Sequence, residues 1–249
     1  MFKNIATGVI FIFALMSSPL STAAIISSFD ADTELTIWSD FSSSEFDAFF
    51  DGDFLDIAGL ATGTVSGTGD GGSTLAALET VVLSAFADGS VTGSPGSVDG
   101  LYLSSGELFI ENTGASTLIG EVSFDFSMFA SIFTDTVDEM ALAFSGLVIG
   151  YEIYDDVGNL AFDDILFDDF IEFDSSLDGT GDFNDSISAL LTNGVSLEAN
   201  ESILYYFELD AAGFADTVRG PTTSVPEPST LAILALGLIA FTIRRIKKQ

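Results

Sequence analysis

The chain has 249 residues, with 38 Asp and Glu against 6 Lys and Arg, and neither Cys nor His. That removes disulfide scaffolds, thiol nucleophiles, His-based zinc sites and any Ser-His-Asp triad, and a net charge of −32 repels nucleic acid. Yet 47% of the chain is hydrophobic and 24 residues are Phe, so enough apolar surface exists to build a core and charge-driven disorder is excluded.

The N-terminus has the plan of a secretory signal. Lys3 supplies the positive start, residues 5–16 an apolar stretch, and Ser21-Thr22-Ala23 a small-residue cleavage pattern. The expected mature body begins after Ala23 or Ala24, and the apolar run is short for a membrane span.

The body follows, taken as residues 25–215. It alternates with period two in several places, which is the strand signature. Leu35 and Ile37 are separated by Thr36. Leu108 and Ile110 stand between Glu107, Phe109 and Glu111. Val122, Phe124, Phe126 and Met128 interleave with Ser123, Asp125 and Ser127. Leu147 to Tyr154 and Ile203 to Leu209 repeat the pattern. Turn residues punctuate these runs at 111–114, 155–159 and 177–181. Residues 73–87 fit a helical face (Leu75, Leu78, Val82, Phe86) or a strand face, and the neighbouring strands favour strand. Residues 39–56, with Phe46, Phe49, Phe50 and Phe54, suggest a short helix or packed loop. No βαβ alternation and no fixed-period repeat occurs. The expected class is all-β: an antiparallel β-sandwich or jelly-roll body, flanked by an N-terminal signal helix and a C-terminal transmembrane helix.

Residues 25–226 hold 37 of the 38 acids and a single base, Arg219. The densest stretch, 155–185, has 11 acids and no base. Calcium takes six to eight hard oxygens, and Asp155, Asp156, Asp178, Asp182, Asn184 and Asp185 are the candidate ligands. No EF-hand pattern accompanies them, and the alternative is a solvated acidic face. Apart from calcium no cofactor is expected. A carboxylate pair for glycoside hydrolysis has no local signature among so many acids, so no catalytic residue is assigned and a non-enzymatic protein is expected. An extracellular carboxylate hydrolase remains a lower-ranked alternative, as does a calcium- or carbohydrate-binding adhesive module. Tyr102, Tyr151, Tyr154, Tyr205, Tyr206 and Trp38 offer rings for sugar stacking, with Tyr206 and Trp38 on the less apolar phase of their strands. Asn184-Asp185-Ser186 and Asn200-Glu201-Ser202 match the glycosylation sequon, a three-residue pattern that chance also produces.

The C-terminal end has three parts in order. Pro226-Glu227-Pro228 closes an extended linker at 216–230. An apolar run occupies 231–243. Arg244, Arg245, Lys247 and Lys248 end the chain. Thirteen apolar residues make about 20 Å of helix, which snorkelling basic stems extend towards the membrane core thickness. The basic cluster orients the tail to the cytoplasm and the acidic body to the far side.

This order resembles the PEP-CTERM sorting signal of Gram-negative bacteria. The resemblance covers about the last 25 residues. It implies recognition of Pro226, Glu227 and Pro228 by an exosortase-type membrane protease, with the inner membrane as a transient anchor. It also implies processing near the motif, delivery to the cell surface or medium, and association with exopolysaccharide or biofilm matrix. Divalent cations are the other partner the charge suggests; nucleic acid is not one.

Overall fold

The computed structural model describes residues 25–42 and 44–217. The expected signal segment, the linker beyond Thr217, the apolar run and the basic tail lie outside these residues. Nine strands and one helical turn make up the body: β1 Ser27–Ser39, β2 Ser44–Gly67, β3 Gly71–Leu75, β4 Thr80–Glu111, β5 Leu118–Thr134, β6 Glu139–Tyr154, β7 Leu160–Asp174, α1 Ser175–Asp178, β8 Gly181–Leu197 and β9 Ser202–Thr217. All pairings are antiparallel. The all-β expectation therefore holds. No helix among the described residues is long and apolar enough to cross a membrane.

The strands form one sheet, in the order β7-β6-β9-β4-β1-β5-β8, with β2 beside β4 and β3 beside β2. The sheet turns back on itself because β4 changes partner midway. Its residues 80–91 pair with β1, and its residues 96–111 pair with β9. The change falls at residues 92–95, opposite a register shift in β2 between Gly59 and Ala61. Gly59 has a φ of +67°, and a Cβ there would run into the Pro95 carbonyl. A side chain is excluded both by backbone conformation and by space.

Folding the sheet sets two layers face to face. Phe124 of β5 lies 5.3 Å from Tyr205 and 5.8 Å from Phe207 of β9, between ring centroids. Phe126 of β5 meets Phe167 of β7 at 4.3 Å. The outer strands β7 and β8 approach through Phe173 and Phe183, 6.4 Å apart, so the sheet is nearly closed and barrel-like. Phe29 plugs the corner, where a Cβ on Gly213 or Gly89 would overlap its ring. The interior is filled by the apolar phase of the strands that alternation identified: Leu35, Ile37, Leu108, Ile110, Phe124, Phe126, Leu147, Tyr205 and Phe207 are all buried.

A polar bridge crosses the core. Thr33 Oγ1 of β1 and Ser145 Oγ of β6 are 2.7 Å apart, and they also reach the carbonyls of Asp210 and Asp32 at 3.0 and 2.9 Å. Both side chains are fully buried, so these bonds offset the desolvation of two hydroxyls.

Two segments differ from the simplest reading. Residues 73–87 are strand at both ends but break at 76–79, where Leu78 takes a φ of +63°. The break is held by Glu79 N donating to Ala76 O and by Leu78 N donating to Ser39 O. Residues 44–56 are neither helix nor loop: they are the first half of β2, because Phe46 and Ala48 enter the core in strand phase. β9 continues to Thr217, two residues beyond the expected edge of the body.

Candidate functional site

The acidic stretch 155–185 builds three local structures. The first is the β6–β7 turn. Asp155 Oδ1 accepts from Val157 N at 3.0 Å and from Asn159 N at 2.8 Å, while the Asn159 amide reaches Oδ2 at 3.0 Å. The bonds from Asn159 hold the Asp155 carboxyl below the usual Asp range. The second is β7 itself. The third is α1, where Asp174 accepts from Ser176 N and Asp178 accepts from Asp174 N, each within 2.9 Å. This reciprocal arrangement caps a single helical turn.

The six calcium candidates consequently fall into two groups. Asp155 and Asp156 sit at the turn end of β7, and Asp178, Asp182, Asn184 and Asp185 at its other end. β7 has 15 residues, which at about 3.3 Å per residue is roughly 50 Å. One ion cannot join the two groups. Among the described residues, no group of three or more acids is placed to hold a metal. Asp178 and Asp185 do share a cleft of about 450 Å³ between β7 and β8, lined also by Phe170, Phe173, Leu177 and Ile187.

The aromatic candidates also separate. Tyr205 is fully buried, its hydroxyl accepting from Asn193 Nδ2 at 2.9 Å, and burial pushes its pKa far above the usual Tyr value. Tyr102 is 6% exposed and donates to Thr68 O at 3.1 Å. Neither is available for stacking. Tyr206 and Trp38 are on the outer side of their strands, as expected, but β9 and β1 belong to opposite layers. They therefore face away from each other and cannot share a ligand.

Tyr206 is the more notable of the two. Its ring lies against Gly150 on β6, where a Cβ would overlap it. Glu152, Asp163, Asp164 and Glu208 surround it and, behind desolvation, push its pKa up. Tyr154, further along β6, donates to the Glu152 carboxylate, and that bond raises the Tyr154 pKa. The result is an aromatic surface rimmed by carboxylates.

Several carboxyls are perturbed in ways that were not visible in the sequence. Asp30 faces Asp88 across the β1–β4 ladder, and Asp99 faces Asp56 across β2–β4. Desolvation, then the neighbouring carboxylates, raise both Asp30 and Asp99. Asp210 rises through desolvation, Glu208 and Asp51, and Asp32 through desolvation. Only the strand register brings these acids together, and register has no local signal.

Pro226, Glu227 and Pro228, and the basic residues Arg244, Arg245, Lys247 and Lys248, lie outside the described residues. Residues 224–247 match the PEP-CTERM protein-sorting motif. The chain carries this sorting signal. The PEP-CTERM motif implies export, a membrane-anchored precursor and processing by an exosortase, itself a membrane enzyme. Its match begins seven residues after the last strand, since β9 ends at Thr217. No curated protein matches the chain. Among solved structures, TmCBM61 in complex with beta-1,4-galactotriose is 15% identical, over 45% of this chain and 67% of that one, with a TM-score of 0.10. The infectious bursal disease virus Gx strain structure is 12% identical, over 84% and 74%, with a TM-score of 0.12. At those scores neither likeness bears on fold or function.

Proposed function

We propose that this is a non-enzymatic surface or matrix protein, delivered by an exosortase-type route and associated with exopolysaccharide or biofilm matrix. The observation that carries the reading is the sorting motif at residues 224–247, directly behind an acidic body. In this reading residues 1–24 drive export. The apolar run 231–243 parks the body at the inner membrane, with Arg244, Arg245, Lys247 and Lys248 on the cytoplasmic side. A protease then cuts near Pro226-Glu227-Pro228 and frees the body. The body is a sandwich in the sense that two layers of one sheet face each other, and its acidic exterior keeps copies apart in the medium.

The test is the intact mass of the mature chain, taken separately from membrane and extracellular fractions of the producing cell. The expected released form ends near Pro226. A chain that keeps Arg244 to Gln249 and appears only in membranes overturns the route. Changing Pro226 and Glu227 to Ala is expected to hold the protein in the membrane fraction, and unchanged release by that double variant refutes the role of the motif.

A second reading rests on the Tyr206 surface. A ring against a glycine backbone, rimmed by Glu152, Asp163 and Glu208, is suited to a sugar face whose hydroxyls donate to carboxylates. This would make the body a carbohydrate- or calcium-dependent adhesive module. It predicts a saturable shift in the thermal melt with a glycan or with calcium, lost in Tyr206→Ala. Equal small shifts with calcium and magnesium mean charge screening alone.

A further inference from the structure

The chain contains six Asn, at positions 4, 112, 159, 184, 193 and 200. Five lie among the described residues, and the fold divides them sharply. Asn112 is buried, and its Nδ2 donates to the carbonyls of Ser116, Leu197 and Glu198, each at 2.9 Å. The Asn159 amide is bound to Asp155, and the Asn193 amide to Tyr205 Oη. Asn184 and Asn200 are exposed, and neither carboxamide has a hydrogen-bond partner among the described residues. These two are also the described Asn that carry a Ser two positions on.

The two surroundings match beyond that Ser. Asp182-Phe183-Asn184-Asp185-Ser186 and Glu198-Ala199-Asn200-Glu201-Ser202 share one frame: acid, apolar, Asn, acid, Ser. Both are placed where an enzyme can reach them. Asn200 is at the β8–β9 turn with a φ of +64°. Asn184 lies on β8, which pairs with β5 on one side and has no ladder on the other, where Phe183 packs against Phe173 of β7. Peeling residues 182–186 away breaks one ladder rather than two.

We propose that Asn184 and Asn200 are N-glycosylation acceptors. The sequon is a surface acceptor for exported chains, so the proposal rests on the export reading above. The co-reactant is a membrane-borne glycosyl diphosphate, used by a glycosyltransferase on the exported side. The Asn carboxamide nitrogen forms a bond to the anomeric carbon of the sugar. The bond from that carbon to the diphosphate oxygen breaks, the diphosphate leaves with its electron pair, and the amide gives one proton to a base of the transferase. Nothing is oxidised or reduced.

The experiment is intact and peptide-level mass spectrometry on the full chain from the producing cell, with Ser186→Ala and Ser202→Ala as variants. These keep both Asn residues and avoid a new side chain at the left-handed Asn200. The wild-type body is expected to exceed its polypeptide mass by one glycan at each Asn. Each Ser variant is expected to lose one increment, and the double variant both. A body at its bare polypeptide mass overturns the proposal, as do increments that survive the double variant or map to other residues. Modification of Asn200 alone overturns the Asn184 assignment and upholds the other. The position of the C-terminal end is read from the same spectra, so a failure of the sorting route is seen separately from a failure of glycosylation.

Discussion

β1 and β7 are both strands dense in Asp and apolar residues, yet they behave differently. β1 is paired on both sides, to β4 and β5, in an unbroken register. Its apolar and small residues are buried in strict alternation, with Asp30, Asp32 and Glu34 on the outer phase. β7 is paired on one side only, and its register shifts twice against β6. Its acids come in adjacent pairs, Asp163-Asp164 and Asp168-Asp169, which period two cannot place on one face. Phe162, Ile165 and Phe170 are left about half exposed. A central strand must satisfy both faces and both ladders at once. An edge strand tolerates bulges and charge, and both discourage pairing with another chain.

The contrast is broken most severely at the centre. Phe124→Ala on β5 removes the ring between Tyr205 and Phe207, and a loss of about 3–5 kcal/mol is expected in denaturant unfolding. Next comes the glycine under Phe29. Gly213→Ala forces a Cβ into that ring, and a cost of about 1–3 kcal/mol is expected. Thr33→Val removes the hydroxyl that meets Ser145 Oγ and donates to the Asp210 carbonyl, while Ser145 keeps its bond to the Asp32 carbonyl. About 1–3 kcal/mol is expected to be lost, and a double-mutant cycle with Ser145→Ala measures the coupling between the two hydroxyls. On β7 the expectation reverses: Asp164→Ser is expected to change stability by less than about 0.5 kcal/mol. A large loss there would show that the edge contributes as much as the centre.

The same contrast has a pH signature. Asp30, Asp32 and Asp210 on the central strands have carboxyls raised above the ordinary value of 3.8. A raised carboxyl favours the protonated folded state. Its contribution is fully present below the unfolded value and is lost as pH rises through the folded value. Asp155 at the β7 turn is lowered, so its contribution is present above the unfolded value and lost as pH falls. Melts are therefore expected to rise as pH falls from neutrality toward the ordinary Asp value of 3.8, and Asp30→Asn with Asp210→Asn to flatten the rise. A melt independent of pH over that range would remove the assigned desolvation.

Much of the fold was legible residue by residue. The alternations at 122–128 and 203–209 fall in β5 and β9, and their apolar phase is the core. The turns at 111–114 and 155–159 lie between strands. Other segments were hidden for definite reasons. The first half of β2 looked helical because Phe46, Phe49, Phe50 and Phe54 recur at threes and fours. It is a strand with a register shift between Phe50 and Gly52, which breaks the period-two pattern. The calcium candidates fall into two groups because nearness along the chain is not nearness in space when a long strand intervenes. The free carboxamides of Asn184 and Asn200 were invisible because availability is decided by which groups the fold brings to each Asn.

The sequence alone settled the charge, the absence of thiol and imidazole chemistry, the all-β class and the sorting signal at 224–247. These follow from composition or from contiguous patterns, which need no partner strand to be read. The tertiary structure decided that β4 changes partner at 92–95 and that the sheet folds onto itself. It decided that Asp30 meets Asp88, and that Tyr206 and Trp38 face opposite ways. Those are matters of register and layer, and a shift of one residue moves every side chain to the other face. They depend on pairings between residues far apart in the chain, and no local pattern encodes them.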